Sequence, residues 1–188
     1  MNLISEARHL STMELEAGLE YIRQAPKDEG RLMLIVRRPA VDAREAIMEG
    51  ELNPAEGLVG DTWKERGNRH TPDGSANVEA QITLMNARVT ALLVQSEDRW
   101  SLAGDQLYVD MDLSEENLPP GARLAIGAAV IEISAKPHTG CKKFSDRFGV
   151  EAHKFVNSPD GKPLRMRGVN ARVVQAGAIR TGDITRKI

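Results

Sequence analysis

The stretch "RLAIGAAVIEISAKPHTGCKKF", residues 123–144, carries most of what the chain reveals about its fold. Residues 123–135 place β-rich apolar runs on both sides of Gly127-Ala128, which reads as a tight hairpin. Pro137 and Gly140 then make a turn, and KKFSDRF repeats phenylalanine at Phe144 and Phe148. An aromatic pair at i and i+4 marks a short helix packing one face inward. Cys141, the only cysteine of the chain, therefore falls at or just before the first turn of that helix.

Outward from this segment the chain is built of short strands. LYVDMDL (107–113) alternates, with Leu107, Val109, Met111 and Leu113 on one face and Tyr108, Asp110 and Asp112 on the other, which predicts a strand with one wet side. LMLIV (32–36) is a buried strand stopped by Pro39, and the tail from Asn170 to Ile188 gives short strands punctuated by Ala176-Gly177 and Gly182-Asp183. QITLMNARVTALLV (81–94) begins like a strand and continues like a helix. Residues 38–63 predict a short helix around Ala43–Met48 followed by turns, and 63–77 reads as a polar loop. Turns every eight to twelve residues argue for a closed, mainly antiparallel sheet, a mainly β fold in which the one strong helical pattern follows Cys141.

The N-terminal segment reads differently. Ser11 and Glu14 have capping-box spacing, Leu10 and Leu15 suit a hydrophobic staple, and Leu15, Leu19 and Ile22 share a face up to Pro26. This divides the chain into a helical extension at 1–27 and a β domain at 28–188.

Bulk composition narrows the function. With 188 residues, 41% of them hydrophobic and 28% charged, the chain can bury a core. A formal net charge of −2 gives no electrostatic reason to expect nucleic acid or an anionic membrane as partner. No apolar run reaches the ~20 residues of a membrane span, and MNLISEARHLSTMELE lacks the compact apolar stretch of a signal peptide. One cysteine forms no internal disulfide. The expectation is a cytoplasmic protein whose partners are small molecules or other proteins.

Cys141 is the chemical candidate. Lys136, His138, Lys142 and Lys143 surround it, and the unpaired N–H groups of a helix start favour an anion. A thiolate is both a nucleophile and a soft metal ligand. The competing reading is an inert cysteine acting as a small hydrophobe. His138 could serve Cys141 as general base. Zinc spacing is absent, and His9, His70 and His153 read as surface or packing residues. Basic residues also gather as Lys142, Lys143 and Arg147, and as Lys162, Arg165 and Arg167, where a phosphate could be held.

The segments "GLVGD" (57–61), "SANVEAQITLMNARVTALL", "GDQLYVDMDLSEENLPPGARLAIGAAVIEISAKPHTGCKKF" and "RGVNARVVQAGAIRTGD" occur in the order and spacing of the MOSC domain, and residues 31–188 resemble that family. The resemblance implies a MOSC-type β-barrel with a few packed helices. It further implies a cysteine that carries sulfur as a persulfide or binds the molybdenum of the pterin cofactor, a position matched by Cys141. On that footing Cys141 and His138 are the catalytic candidates, with Cys141 as metal ligand. Lys142, Lys143 and Arg167, together with Asp61, Asp105 and Asn117, are the cofactor-binding candidates. The family also carries an association with pyridoxal phosphate. Two classes stay open. One is a molybdenum-dependent oxidoreductase or sulfur transferase, acting on N-hydroxylated substrates with an external electron donor or receiving sulfur from a donor protein. The other is a binding module that keeps the barrel without the chemistry. Gly104-Asp105-Gln106-Leu107 stands where members with established cofactor binding often have an Arg-Glu-Asn-Leu-type stretch, so the arginine is missing.

The thiol reading has a direct consequence. Cys141 should titrate below the ~8.5 of a free cysteine, each unit of depression corresponding to about 1.4 kcal/mol in favour of the thiolate. The midpoint of alkylation rate against pH measures it. A midpoint at or above ~8.5 would make Cys141 a packing residue.

Overall fold

The computed structural model of the protein describes residues 8–139 and 142–188. Two short helices come first, α1 (Thr12–Ala17) and α2 (Leu19–Arg23), followed by β1 (Glu29–Arg37), β2 (Glu45–Ile47), β3 (Glu49–Asn53), β4 (Gly57–Leu58) and α3 (Trp63–Arg66). The middle of the chain forms β5 (Ile82–Asn86), α4 (Ala87–Val94), β6 (Leu107–Asp110), β7 (Arg123–Ile126) and β8 (Ala129–Ile133). Then come α5 (Lys142–Phe148), α6 (Val150–Val156), β9 (Val169–Gln175), β10 (Gly177–Arg180) and β11 (Ile184–Lys187).

Seven strands close into a barrel in the order β1, β11, β7, β8, β9, β5, β6, with β6 returning to β1. All these pairs are antiparallel except β5 with β6. A parallel pair needs a crossover, and α4 with the helical turn 97–103 supplies it. β2 pairs with β1 beyond the ring, and β10, β3 and β4 form a small separate sheet. The barrel is filled by side chains such as Leu32, Ile35, Leu84, Val109, Leu124 and Ile131, all without solvent exposure. Leu32 and Ile35 both reach the interior although three residues apart, because the β1–β6 register shifts between Leu32 and Leu34.

A second apolar layer covers the outer wall. Val36, Met85 and Tyr108 point out of the barrel against Leu15, Phe144, Phe148 and Phe155 of the helices. The face expected to be wet is covered at Tyr108, which is fully buried, whereas Asp110, held by Arg88 at 2.7 Å, and Asp112 stay partly exposed. The alternation was read from polarity, but helices cover what would have been the solvent face.

Several expectations are met and others corrected. The 123–135 hairpin forms about Gly127-Ala128, and Phe144 and Phe148 meet edge-on at 5.0 Å. The ambiguous 81–94 segment is both things in turn, a strand and then a helix capped by Asn86, whose side chain accepts from the Arg88 N–H. The helix expected at Ala43–Met48 is instead strand β2, because pairing with the edge of β1 (Ile35 opposite Ile47) outweighs the weak helix preference of so short a segment. The loop at 63–77 opens with one helical turn, and α4 and α6 add helices beyond the one after Cys141. The Ser11–Glu14 capping box forms, but the helix breaks at Gly18. A Cβ at Gly18 would meet Leu92 at 2.5 Å, so this glycine lets α1 and α2 lie close on α4.

Leu15 is 1% exposed within the outer layer, whereas Met13 on the same helix is 79% exposed. Leu15→Ala should cost about 2–4 kcal/mol in urea unfolding, since a buried leucine is lost to a cavity. Met13→Ala should stay within about 0.5 kcal/mol.

Candidate functional site

Three elements bring their ends together around a single carboxylate. Asp105 lies between the helical turn 97–103, closed by Gly104 at φ +96°, and strand β6. His138 lies in the link after β8, and Arg167 immediately before β9. Asp105 Oδ1 is 2.7 Å from His138 Nε2, and Oδ2 accepts from Arg167 Nη1 at 2.7 Å. The Asp105 and Arg167 side chains are 0% and 8% exposed. Arg167 Nη2 also donates to the Ala103 carbonyl, and its guanidinium lies over the Phe144 ring, 5.0 Å from the centroid. Gly168 is required beside it: φ is +113°, and a Cβ would meet the Leu84 carbonyl oxygen at 2.2 Å.

The electrostatics follow from burial and partners. Burial alone would raise the Asp105 carboxyl, but Arg167 and His138 outweigh it and hold the group below the usual carboxylate range. Arg167 Nη1 also approaches His138 Nε2 at 2.9 Å. One nitrogen cannot both donate to Asp105 and accept from Arg167. The buried anion decides: Nε2–H donates to Asp105 Oδ1, and Arg167 donates an Nη1–H to the other carboxylate oxygen. In the neutral ring Nδ1 is then the nitrogen that can take up a proton.

His138 and Arg167 line a cleft of about 300 Å³, together with Lys136, Thr139, Lys162 and Arg165. A second concavity, of about 460 Å³, is lined by Arg38, Asp42, Arg44, Arg66 and Lys143 among others. The two are four positions apart along the chain, Thr139 lining one and Lys143 the other. In the second, Arg38 forms a two-pronged pair with buried Asp61 at 2.7 and 2.9 Å, and Lys143 reaches Asp42 at 2.7 Å. Arg44 and Arg66 have no ion pair among the described residues. Burial pushes the Arg44 guanidinium down, and Arg147 and Arg38 push it the same way. Arg66 is lowered by desolvation, Arg38 and Arg44, although much of its surface is open. With Asp42 and Glu65 in the lining and Asp61 behind it, the cations Arg38, Arg44, Arg66 and Lys143 still leave the concavity with a small surplus of positive charge. Arg44 Nε and the Tyr108 hydroxyl are buried without a hydrogen-bond partner among the described residues. Burial pushes the Tyr108 phenol up, with Asp105 adding to the shift, so it stays protonated and able to donate.

The expected site residues separate into groups. His138, Asp105 and Arg167 come together. Lys143 joins the second concavity, and Asp61 lies behind it, bound to Arg38 and to the Trp63 N–H. Lys142 is solvent-exposed and pairs with Asp146 one turn along α5. Asn117 is elsewhere, donating to the Lys27 and Asp112 carbonyls and accepting from Lys187. Cys141 lies outside the described residues. Arg38, Arg44 and Arg66 were not foreseen. They come from the residue just after β1, the link before β2 and α3, and no spacing in the sequence joins them.

Comparison with known proteins agrees with this architecture. Residues 73–186 match the family model of the MOSC domain. The YUAD protein from Bacillus subtilis shares the fold at 13% identity and a TM-score of 0.58, over 84% of this chain and 94% of that one. YiiM from Escherichia coli shares it at 16% identity and a TM-score of 0.54, over 84% and 69%. No curated protein matches the chain. Among the described residues, no helix is long and apolar enough to cross a membrane.

The buried triad gives a stability prediction with a defined sign. Asp105→Asn leaves Arg167 buried without its counter-ion and should cost about 3 kcal/mol at neutral pH in denaturant unfolding. Because the folded carboxyl titrates below its unfolded value of ~3.9, this stabilisation is complete above that pH. It is lost as pH falls through the folded value, so the gap between wild type and variant should narrow in acid.

Proposed function

The chain belongs to the MOSC domain family, and on that premise we propose that it binds the molybdenum cofactor, with Cys141 as metal ligand or sulfur carrier. The cofactor's phosphate is received by the concavity of Arg38, Arg44, Arg66 and Lys143. One observation carries the reading: positive charge without an ion-pair partner at half-buried Arg44, with a buried and unpartnered Nε, two residues beyond Asp42, the partner of Lys143. A phosphate dianion would satisfy that N–H and relieve the repulsion among the arginines, so the residues present fit the group. Arg44 and Arg66 would supply most of the attraction, since Arg38 and Lys143 already have carboxylate partners.

When bound, the cofactor supplies a metal centre able to exchange oxygen or sulfur and to take electrons from a donor. The chain's own residues position and move protons around it. Asp105 fixes the ring of His138 through Nε2, leaving Nδ1 to give or take a proton for a substrate in the adjoining cleft. Arg167 is held by Asp105, by the Ala103 carbonyl and over Phe144, which keeps its charge in one place beside that cleft. In its reductase form the activity acts on N-hydroxylated compounds and draws on an external electron donor. In its carrier form, the Cys141 thiolate would attack the outer sulfur of a donor protein's persulfide, forming the Cys141 persulfide as the donor's S–S bond breaks and its thiolate leaves.

Protein expressed in cofactor-sufficient cells should retain molybdenum at close to one per chain, or gain sulfur at the thiol. Cys141→Ser should keep the fold and lose both, and Arg44→Gln should lower retained pterin. Absence of molybdenum together with no sulfur gain in the unaltered protein would leave a binding module without this chemistry.

A further inference from the structure

The cleft beside His138 has more positive charge than the triad requires. Its permanently cationic lining residues are Lys136, Lys162, Arg165 and Arg167, against the single lining carboxylate of Glu115. Asp105 offsets Arg167 alone. The Lys136 and Lys162 ammonium groups make no ion pair among the described residues. Lys27, Lys142, Lys143, Lys154 and Lys187 each have a carboxylate within 4 Å, and of the other described lysines only Lys64, outside the cleft, shares the lack of an ion pair. Unpaired lysines converging on a concave surface are a different arrangement from a solvated charged face.

Arg165 adds a second kind of evidence. It is a non-glycine residue at φ +46°, a conformation that costs free energy and persists only where its surroundings impose it. Here the Arg165 N–H bonds to the Lys162 carbonyl, the Gly168 N–H bonds back to the Arg165 carbonyl, and Nη1 donates to the Leu118 carbonyl at 2.6 Å. The turn thus fixes a guanidinium at the cleft wall, and burial pushes it down while Glu115 acts the other way. Arg167 Nε, also on this wall, is buried with no hydrogen-bond partner among the described residues. The lining includes apolar surface as well, from Val156 and Val169. At about 300 Å³ the space suits a compact small molecule.

We propose that this cleft is a binding site for a small organic dianion, a phosphate monoester or a dicarboxylate, whose charge is met by Lys136, Lys162 and Arg165 and whose carbon skeleton rests on Val156 and Val169. The site is separate from the arginine concavity assigned above to the cofactor, and it stands whether or not that assignment holds. Its position against His138 makes it the place from which an anionic substrate would approach the proton-carrying ring.

Calorimetric titration of the full chain, as purified, with phenyl phosphate and with phthalate tests the site. One of the two should bind saturably at one per chain. Lys136→Gln combined with Lys162→Gln should weaken that binding about tenfold, as expected for two half-exposed ion pairs of somewhat under 1 kcal/mol each. Arg44→Gln should leave it unchanged. Competition by inorganic phosphate identifies a phosphate ligand, and its absence a carboxylate one. The proposal is overturned if neither probe saturates, if the lysine pair has no effect, or if Arg44→Gln abolishes binding and so moves the ligand to the other concavity. Molybdenum retained by the lysine variant reports separately on the cofactor reading, because those lysines lie outside the phosphate concavity.

Discussion

Asp105 has no solvent exposure, and its negative charge persists there only because Arg167 and His138 each meet it at 2.7 Å. An isolated carboxylate in such a place would be costly enough to take up a proton. The pairing runs both ways: Arg167, buried against Phe144 and the Ala103 carbonyl, equally needs the anion. The three residues come from positions 105, 138 and 167, so a single electrostatic knot fixes the start of β6, the link beyond β8 and the start of β9 relative to one another. The shape of the cleft and the aim of His138 both depend on that knot. Gln106 secures the neighbouring backbone by accepting from the Thr83 N–H and hydroxyl and donating to the Gln81 carbonyl.

Around this neutralised centre, positive charge is left over on both sides. The first cleft has Lys136, Lys162 and Arg165, and the second has Arg44 and Arg66. The net charge of the whole chain is −2, so neither excess follows from composition. Each concavity also contains a non-glycine residue at positive φ, Asp42 at +58° and Arg165 at +46°. Asp42 reaches across to Lys143 on α5, and Arg165 to the Leu118 carbonyl. Strain of this kind is sustained by surrounding contacts, and here it coincides with the two places where cations are gathered.

Strand alternation and turn residues made the barrel legible in the sequence: the Gly127-Ala128 hairpin and the β9–β11 tail form where the residues place them. The errors have one cause. Tyr108 was placed in solvent and residues 43–48 in a helix because polarity and propensity are local, whereas the helical layer and the edge of β1 that decide both are distant in sequence. The site was legible to the same extent. His138 could be read beside Cys141, Arg167 stood out in the basic cluster with Lys162 and Arg165, and Asp105 came through the family resemblance, but nothing in the sequence joined the three into one ion-paired unit. Asn117 has the polarity of a pocket residue, yet its amide is used up on the Lys27 and Asp112 carbonyls. Arg38, Arg44 and Arg66 converge only once β1, the segment before β2 and α3 are in place.

The two apolar clusters have separate memberships, one inside the ring of strands and one between the ring and the helices. Their cooperative units need not coincide. The ring has no free end among its seven strands, so its amides can exchange with solvent only through an opening close to global. The helical layer packs on the ring through the side chains of short helices, so its opening is expected to need a lower free energy than opening the ring. His138 and Arg167 belong to segments leading out of and into ring strands, and α5 belongs to the layer. The residues lining the two concavities therefore come partly from segments tied to the ring and partly from the helical layer. Loosening of α5 would thus leave in place the ring segments that orient His138.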